Sequence, residues 1–532
     1  MKAIILSIAA TLVGAVPTQS HTPSPYFNQV DNQTWVIGNE LWNLTQGLKY
    51  GVQLFYKDHD CVGDAVGHYV SYNGAASDLS WNSASIAKRG SYRGSDYIDV
   101  AFTADEGEMH WVIFSGLPGA YQYFVNHALP VLGEFRTLWR LDNTTFPRGK
   151  TNLRDEELPP LSDYIAANKV QDETWLRPDG KGYITKYDLT DWIRTQTYYG
   201  VYGDSFGSWY INPGKDYYNG NHLKQELMVH RESATGDAVQ LNMIHGTHFM
   251  ASSSDAFPDG KDVGAVAVLV LSDGRPAANA AVFLGDNNPN KTALDMGTDY
   301  YYTSYADAQG RFKFADVRAA RYGLQAWSNG SKIADVTTSF LQNNITVTKS
   351  RNTNLGTLKW NVSKKTKIFQ VGDFDRTSYG FQYGGAPNQH ALVASCPGNL
   401  VYRVGKSKTS DWCFGQTYQG NWTISFDLPN TPKHNRAGNA TLIVSLAGYS
   451  SGASSIILAN GQQIGNLTSE APGLLNDPSL YRSMTTAGEW RYFEFEFDSG
   501  SVLKKGDNEV TFQMTRNTTW HGFMWDSVVL EW

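Results

Sequence analysis

Several cationic side chains lie among aromatic residues in the first half of the chain. The stretch GEFRTLWRLDN carries Arg136 and Arg140, and four-residue spacing in a strand would place both on one face, about 13 Å apart. Two guanidinium groups on one face can each bind both oxygens of a carboxylate. A solvated strand face with arginines paired to acids would have the same spacing, so both interpretations stay open.

Lys186 lies in YITKYDLTDW, whose residues have the aromatic and β-branched bias of a strand. It is either an ordinary strand charge or a group held in place to act on a ligand. His230 ends the stretch HLKQELMVH, and His245 and His248 follow in NMIHGTHFM. A histidine is more often a satisfied polar residue than a catalyst, and the last two provide only half of a metal site.

The composition favours a β-rich protein with aromatic surfaces. Of the 532 residues, 13% are aromatic and 18% are charged, and the charged share is below the ~25% of an average globular protein. A net charge of −7 offers no basic stripe for nucleic acid. A local cluster of cations could still bind an acidic polymer.

The first twenty residues, MKAIILSIAATLVGAVPTQS, have the pattern of a secretory signal peptide. Their apolar run is too short to span a membrane, and no later segment is continuously apolar for about 18 residues. We therefore expect a secreted, extracellular protein without a membrane partner. Eleven N-x-S/T acceptors predict a glycoprotein: Asn32, Asn43, Asn143, Asn290, Asn329, Asn344, Asn361, Asn421, Asn439, Asn466 and Asn517.

The chain has three cysteines, Cys61, Cys396 and Cys413. The last two lie in one late segment and are predicted to form a disulfide, which would be worth about 3 kcal/mol in the chain-entropy model. Cys61 falls outside this pair and is interpreted as a small buried apolar residue. Three cysteines are too few for a zinc site built on cysteine.

Short β-branched and aromatic runs separated by polar turns predict an all-β protein of three domains. Residues 21–261 are predicted to form a large β-sandwich. The strand AVAVLVL, between Asp-Gly turns, begins a smaller fibronectin III-like sandwich over residues 262–362. Residues 363–532 contain strands such as NATLIVSLAGYS and EWRYFEFEFDSG and have the pattern of a jelly roll.

Together these segments resemble the rhamnogalacturonan lyases of polysaccharide lyase family four, in a secreted fungal form. The likeness covers almost the whole chain after residue 20. It is carried by GEFRTLWRLDN, FGSWYINPGKDYYNGNHLKQELMVH, NMIHGTHFM, KIFQVGDFDRTSYGF and HGFMWDSVVLE. It implies a galactose mutarotase-like catalytic sandwich, a fibronectin III-like domain and a carbohydrate-module-like jelly roll. It also implies β-elimination at the α-1,4 bond from rhamnose to galacturonic acid in rhamnogalacturonan I, which leaves a 4,5-unsaturated uronate.

The resemblance places the family's catalytic lysine on Lys186, its catalytic histidine on His230 and its substrate-binding arginines on Arg136 and Arg140. The stretch RESATGDAVQ after the histidine looks like an insertion, which would let another alignment slide the histidine role. Further residues expected to contact substrate are Tyr187, Trp209, Tyr210 and His245.

β-Elimination explains these residue types. The proton on C5 of a uronic acid becomes removable only when the neighbouring carboxylate is neutralised, and arginines do this well because they stay charged. A free lysine has a pKa of about 10.4, but burial and nearby guanidinium groups would favour the neutral amine. We expect Lys186 to be the base and His230 the proton donor or a transition-state stabiliser, with an exchange of these roles left open.

No cofactor is expected, because the arginines can replace the calcium that some other lyases use. A structural calcium ion in the jelly roll is compatible with the sequence, and we expect a monomer. Two alternatives remain: a glycoside hydrolase on a similar sandwich, although no spacing among its carboxylates singles out a pair, and a non-catalytic carbohydrate-binding protein.

Overall fold

The computed structural model describes residues 25–72, 77–128, 134–171, 173–189, 197–211, 227–246, 263–271, 273–285, 287, 302–317, 319–329, 338–348, 351–362, 365–385, 392–430, 439–449, 453–468, 491–516 and 521–532. The predicted signal peptide, residues 1–20, lies outside these ranges.

Up to residue 246 the described chain is built almost wholly of short strands. The strands are β1 Tyr26–Gln29, β2 Trp35–Gly38, β3 Trp42–Gln46, β4 Gly51–Tyr56, β5 His59–Asp60, β6 Gly67–Tyr72, β7 Ser77–Asp78, β8 Ser83–Tyr92, β9 Ser95–Thr103, β10 Gly107–Phe114, β11 Ala120–Asn126, β12 Glu134–Leu141, β13 Arg148–Lys150, β14 Asp155–Glu157, β15 Lys169–Gln171, β16 Thr174–Leu176, β17 Tyr183–Thr185, β18 Tyr198–Tyr202, β19 Gly207–Ile211, β20 Val229–Arg231 and β21 Ala238–Gly246. The stretch LSDYIAANKV, which has some helical periodicity, forms two 3-10 turns, Leu161–Asp163 and Ala166–Asn168.

One compact unit contains β1 to β5 and β8 to β11. Within it, β8, β9, β10 and β11 form an antiparallel sheet in that order. Alternate residues of the two central strands are apolar and buried, namely Ile98, Val100, Phe102, Met109, Trp111 and Ile113. This period of two assigns one face of the sheet to the core and leaves the other for polar and aromatic residues.

The remaining strands belong to a second compact unit. Strands β6, β12, β21 and β20 lie side by side in that order, all antiparallel. Residues directly opposite each other share a face, so the register Arg140–Val239–His230 aligns an arginine and a histidine on one side of this sheet. Two smaller sheets follow the orders β14-β13-β18-β19 and β15-β16-β17.

The C-terminal half of the second unit contains four more sheets. Its elements are β22 Val263–Leu271, β23 Ala281–Gly285, β24 Tyr302–Tyr305, β25 Arg311–Val317, β26 Ala320–Trp327, β27 Phe340–Val347, β28 Thr353–Trp360, β29 Lys367–Val371, β30 Leu400–Arg403, β31 Gly415–Gln416, β32 Gly420–Leu428, β33 Asn439–Tyr449, β34 Ser454–Ala459, β35 Gln462–Thr468, β36 Arg491–Asp498, α1 Ser499–Val502, β37 Gly506–Arg516 and β38 Phe523–Glu531, with 3-10 turns at Leu392–Ser395 and Thr409–Asp411. Sheets β25-β22-β28 and β24-β23-β26-β27 enclose one core, and sheets β29-β38-β33-β36 and β30-β32-β37-β34-β35 enclose another.

These two cores are joined by a third, smaller cluster of buried side chains. Phe283 and Trp327 from β23 and β26 pack with Phe374, Ile443 and Val529. The Arg376 guanidinium lies 3.7 Å from the centre of the Trp327 ring. An apolar joint of this kind, closed by a buried cation over an aromatic ring, holds the two sandwiches in one unit.

The all-β prediction is confirmed. The predicted disulfide between Cys396 and Cys413 is present, and Cys61 is buried at 5% exposure. Among the described residues no helix is long and apolar enough to cross a membrane.

Candidate active site

Lys186 is the first residue after β17, one position beyond the end of the strand. The strand stops because a turn begins: the Asp188 amide donates to the Thr185 carbonyl at 3.2 Å, and the Asp188 carboxylate accepts from the Thr185 amide at 3.3 Å. Leu189 then forms a bridge with Val229 of β20. The turn that carries the lysine is thereby held beside the strand that carries the histidine.

The Lys186 side chain is buried between two carboxylates. The residue is 7% exposed, and its Nζ lies 2.7 Å from Glu173 Oε2 and 3.0 Å from Glu232 Oε1. A buried ammonium group is tolerated only when it is paired in this way. The sequence predicts guanidinium groups around the amine, whereas its nearest charged neighbours are acids.

Glu232 links the lysine to an arginine. Its Oε2 lies 3.3 Å from Nη2 of Arg140, whose Nη1 is 3.8 Å from Asp237 and whose Nε donates to the Tyr69 hydroxyl at 3.3 Å. Burial alone would raise the pKa of Glu232, but the charges of Lys186 and Arg140 outweigh it and lower that pKa to about 2. One permanently ionised carboxylate therefore holds both cations.

His230 lies on the same face of the sheet and is 5% exposed. Its Nδ1 is buried and has no hydrogen-bond partner within the described part of the chain. Burial and the nearby charge of Lys186 lower the pKa of His230 to about 3. The imidazole is therefore neutral at any ordinary working pH.

Arg136 lies on the same face of β12 as Arg140, as their spacing predicted. Its Nε donates to the Ser71 hydroxyl at 3.0 Å, which fixes the start of the guanidinium group. Both arginines are half-buried. The face thus carries two oriented guanidinium groups beside the Lys186–Glu232 pair.

The other residues predicted to contact substrate differ in how deeply they are buried. Tyr187 is completely buried, so its ring packs in the interior, and Tyr210 is half-buried with its hydroxyl buried. Trp209 is 37% exposed and its ring stacks on Tyr202 at 5.8 Å. His245 lies in β21 opposite Phe135, and its side chain is outside the described part of the structure.

Three acids of this cluster were not found from the sequence: Glu173, Glu232 and Asp237. The stretch RESATGDAVQ is the hairpin between β20 and β21, closed by bonds from the Glu232 amide to the Asp237 carbonyl and from the Gly236 amide to the Glu232 carbonyl, both 2.9 Å. Gly236 has φ +84°, which favours glycine at this turn. A usable signal was present, because Glu232 follows His230 by two residues and therefore shares its side of the strand.

Asp188 offers a pH test of the turn that holds the lysine. Burial raises the pKa of its carboxyl to about 7, and its buried Oδ1 has no hydrogen-bond partner among the described residues. A carboxyl with a pKa of about 3.9 when unfolded then binds more protons when folded, so stability falls as pH rises from about 4 to 7. We expect Asp188→Asn to lack this loss. The Tm of the variant minus the Tm of the parent should therefore be larger at pH 8 than at pH 4.5. The exposed Asp204→Asn is the control, and an equal Tm difference at both pH values would contradict the assignment.

Neither a serine hydrolase site nor a metal site is supported by the described residues. Residues 203–207 have the spacing G-x-S-x-G, but they lie in the hairpin between antiparallel strands β18 and β19 and not at a strand-to-helix elbow. Across the described ranges, no group of three His, Cys, Asp or Glu side chains is arranged to hold a metal ion.

Comparisons with known proteins agree with this organisation. Residues 272–355 match domain II of polysaccharide lyase family 4, a fibronectin III-like domain, and residues 367–530 match domain III, which is carbohydrate-binding-module-like. Both ranges fall inside the second and third predicted domains. A family 35 carbohydrate binding module of known structure covers 22% of this chain and 71% of its own, at 14% identity and a TM-score of 0.15.

Curated relatives extend the match beyond these two domains. A rhamnogalacturonate lyase of Dickeya dadantii is 26% identical over 489 residues, covering 82% of this chain and 81% of its own. Rhamnogalacturonate lyase B of Emericella nidulans is 24% identical and covers 65% of this chain and 67% of its own. One relative is bacterial and the other fungal, so a fungal origin stays a prediction. The chain thus carries matches to domains II and III of polysaccharide lyase family 4, and its curated relatives are rhamnogalacturonate lyases.

Proposed function

We propose that this chain cleaves the α-1,4 bond between rhamnose and galacturonic acid in rhamnogalacturonan I by β-elimination. The observation that carries the proposal is that one buried carboxylate, Glu232, holds both Lys186 and Arg140, with His230 on the same face. The relatives described above act on rhamnogalacturonate by their names. The site supplies the three parts that elimination needs: a carboxylate binder, a base and a group at the leaving oxygen.

Arg136 and Arg140 are the proposed binders of the uronate carboxylate. Both lie on one strand face with their Nε atoms oriented by Ser71 and Tyr69. The Nη atoms of Arg140 are already paired with Glu232 and Asp237, so a bound uronate carboxylate would share that guanidinium group with these acids. Charge that develops on the carboxylate as C5 loses its proton is then stabilised by groups that need no reorganisation.

Lys186 is the proposed base. After it takes the C5 proton, the new ammonium lies between Glu173 and Glu232, which stabilise it. The electron pair of the C5–H bond forms the C4=C5 double bond, and the C4–O bond breaks. A lysine accepts a proton only as the neutral amine, and an ordinary lysine forms that species only toward alkaline pH, so activity should rise with pH.

His230 is the proposed stabiliser of the leaving group. A side chain with a pKa of about 3 is neutral but too weak a base to remove a proton from carbon. Its neutral N–H can donate a hydrogen bond to the rhamnose oxygen as negative charge develops there. That oxygen takes up a proton from water and leaves as the rhamnose hydroxyl group.

Ultraviolet absorbance of the products tests the proposed reaction. Elimination produces a conjugated 4,5-unsaturated uronate, so absorbance should rise with rhamnogalacturonan and remain flat with homogalacturonan, which lacks rhamnose. New reducing ends without absorbance would instead identify a glycoside hydrolase. Binding without either product would identify a carbohydrate-binding protein.

Replacing Glu232 with Gln tests the link between the two cations. The variant keeps the shape of the side chain but removes one negative charge 3.0 Å from Lys186 Nζ. Lys186 loses one of its two charged partners, so its amine is held less firmly and we expect kcat to fall about tenfold or more. Arg140 also loses a partner at 3.3 Å, which should raise KM. The exposed Glu157→Gln is the matched control, and unchanged kcat and KM in Glu232→Gln would contradict the role.

We further propose that the protein is exported, glycosylated and monomeric and that elimination needs no metal. Export is supported by the signal-like N-terminal sequence, the eleven acceptor sites and the disulfide. The metal-free reaction is supported by the guanidinium pair, which can neutralise a carboxylate alone. A structural calcium ion in the jelly roll remains a separate proposal, testable by melting the protein with and without a chelator.

A further inference from the structure

The outer face of the β8–β11 sheet carries a row of aromatic rings, in the compact unit that does not contain the proposed active-site residues. Tyr97, Phe114 and Tyr121 follow one another with ring centres 5.2 and 6.0 Å apart, and Tyr123 lies two residues further along β11. Tyr121 is 56% exposed and Tyr123 is 44% exposed. We call these four residues the tyrosine face. Aromatic side chains exposed in a group usually mark a binding surface.

Tyr123 is fixed in place before any ligand arrives. Its hydroxyl donates to Asp99 at 2.6 Å, and its ring is stacked on His110 at 4.3 Å with an interplanar angle of 17°. His110 is itself held by Asp99 at 2.8 Å and Glu108 at 3.3 Å. One side of the tyrosine ring is therefore covered and the other is open. A platform that is already ordered loses little side-chain entropy when a ligand stacks on it.

The polar groups around the platform indicate the chemistry of its ligand. Asp99 and Glu108 lie on the same side of the sheet as the rings, with side chains 11% and 30% exposed. The exposed Lys88 is opposite Asp99 in the register, whereas Glu108 is opposite Thr103. Carboxylate oxygens accept hydrogen bonds from sugar hydroxyls but repel a uronate. A neutral pyranose can stack its apolar face on the tyrosine rings and donate its hydroxyl hydrogens to the carboxylates.

This surface is also free of predicted glycan attachment. None of the eleven N-x-S/T acceptors falls within residues 83–126, which form the whole sheet. An attached glycan would cover an aromatic platform on its own strand, and here the sequence provides no acceptor for one.

We propose that the tyrosine face is a second, non-catalytic glycan site that binds neutral sugar units of a polysaccharide by stacking on Tyr121 and Tyr123. The choice of a polysaccharide rests on the proposed function, whereas the preference for neutral units rests on the acids of this face. The site would hold neutral portions of the polymer while elimination takes place elsewhere on the chain.

Binding of a neutral β-1,4-galactan and of polygalacturonate, measured by titration calorimetry, tests this proposal. The parent protein should bind the galactan more tightly than the polygalacturonate. Tyr121→Ala, at an exposed position, should weaken galactan binding about tenfold, while its turnover of short rhamnogalacturonan fragments stays at the parent value. Tyr123→Phe keeps the ring but loses the bond to Asp99, and should weaken binding less. Tyr305→Ala, at a tyrosine that is 64% exposed on β24, is the matched control and should change neither quantity.

Several results would overturn the proposal. Absence of galactan binding by the parent, equal affinity in Tyr121→Ala, or a preference for polygalacturonate would each remove the site. A dimer in sedimentation that Tyr121→Ala dissolves would assign the face to a second copy of the chain. An enzyme that eliminates normally but fails these binding tests overturns this site alone, and loss of elimination with galactan binding intact overturns only the proposed function.

Discussion

Replacing Lys186 with Met is expected to abolish formation of the unsaturated uronate, lowering kcat by about two to four orders of magnitude. The amine is the group that accepts the C5 proton, and the thioether that replaces it has no comparable basicity. The carboxylate should still bind, because Arg136 and Arg140 remain. The measurement is the initial rate of absorbance on rhamnogalacturonan, together with binding of the polymer to the variant.

Loss of activity in that variant could also come from loss of structure. Removing the ammonium leaves Glu173 and Glu232, whose side chains are 24% and 13% exposed, without their shared partner, which should cost less than the about 3–5 kcal/mol typical of a fully buried pair. Lys186→Arg separates the two effects, because a guanidinium keeps the positive charge but does not give up a proton at working pH. We expect this variant to fold, melt near the parent and remain inactive. Lys181→Met, at an exposed lysine in the preceding turn, is the control for the substitution itself. Activity of Lys186→Arg within tenfold of the parent would remove Lys186 from the base role.

Local patterns in the sequence were sufficient for part of this site. The four-residue interval between Arg136 and Arg140 put both on one face because a strand has a period of two wherever it occurs. The all-β class followed from the same alternation, as in β10, where the buried Met109, Trp111 and Ile113 alternate with residues that point to the other face of the sheet. Both inferences use only neighbours in the chain.

The partners of Lys186 could not be found in the same way. Glu173 reaches it through the β16–β17 pairing, where the Lys186 amide donates to the Glu173 carbonyl at 3.1 Å. Glu232 reaches it because Leu189 pairs with Val229. Which strands become neighbours depends on packing between distant segments, and no local period reports it. The expectation that guanidinium groups surround the amine was therefore incomplete: the nearest arginine, Arg140, acts on it through a shared acid.

The end of strand β17 shows a second limit of prediction from local sequence patterns. An alternating strand through Tyr183 and Tyr187 would have put both rings on one side, whereas Tyr187 is completely buried. The cause is local side-chain chemistry, because Asp188 bonds back to the Thr185 amide and starts a turn. The signal in the sequence was an Asx-type residue three positions after a threonine, and it was weaker than the aromatic bias around it.

The second large effect is expected when His230 is replaced, and it distinguishes whether Lys186 or His230 is the base. His230→Ala removes the only imidazole of the site among the described residues, and we expect kcat to fall about 10²- to 10³-fold, as for loss of one donor to a developing oxyanion. His230→Gln keeps an N–H donor near the same position and should recover part of that loss. Recovery by an amide, which cannot act as a base, would fit hydrogen bonding to the leaving oxygen.

The pH profile of His230→Gln distinguishes the two possible assignments. A lysine base works only as the neutral amine, which an ordinary lysine forms toward alkaline pH, so a rate that rises with pH in both the parent and the variant is expected if Lys186 is the base. If the imidazole were the base, its pKa of about 3 would make the parent rate level across neutral and alkaline pH, and the variant would have no turnover to profile. A parent profile that rises toward alkaline pH, retained at lower amplitude in His230→Gln, is therefore the expected result. A level parent profile would transfer the base role to His230.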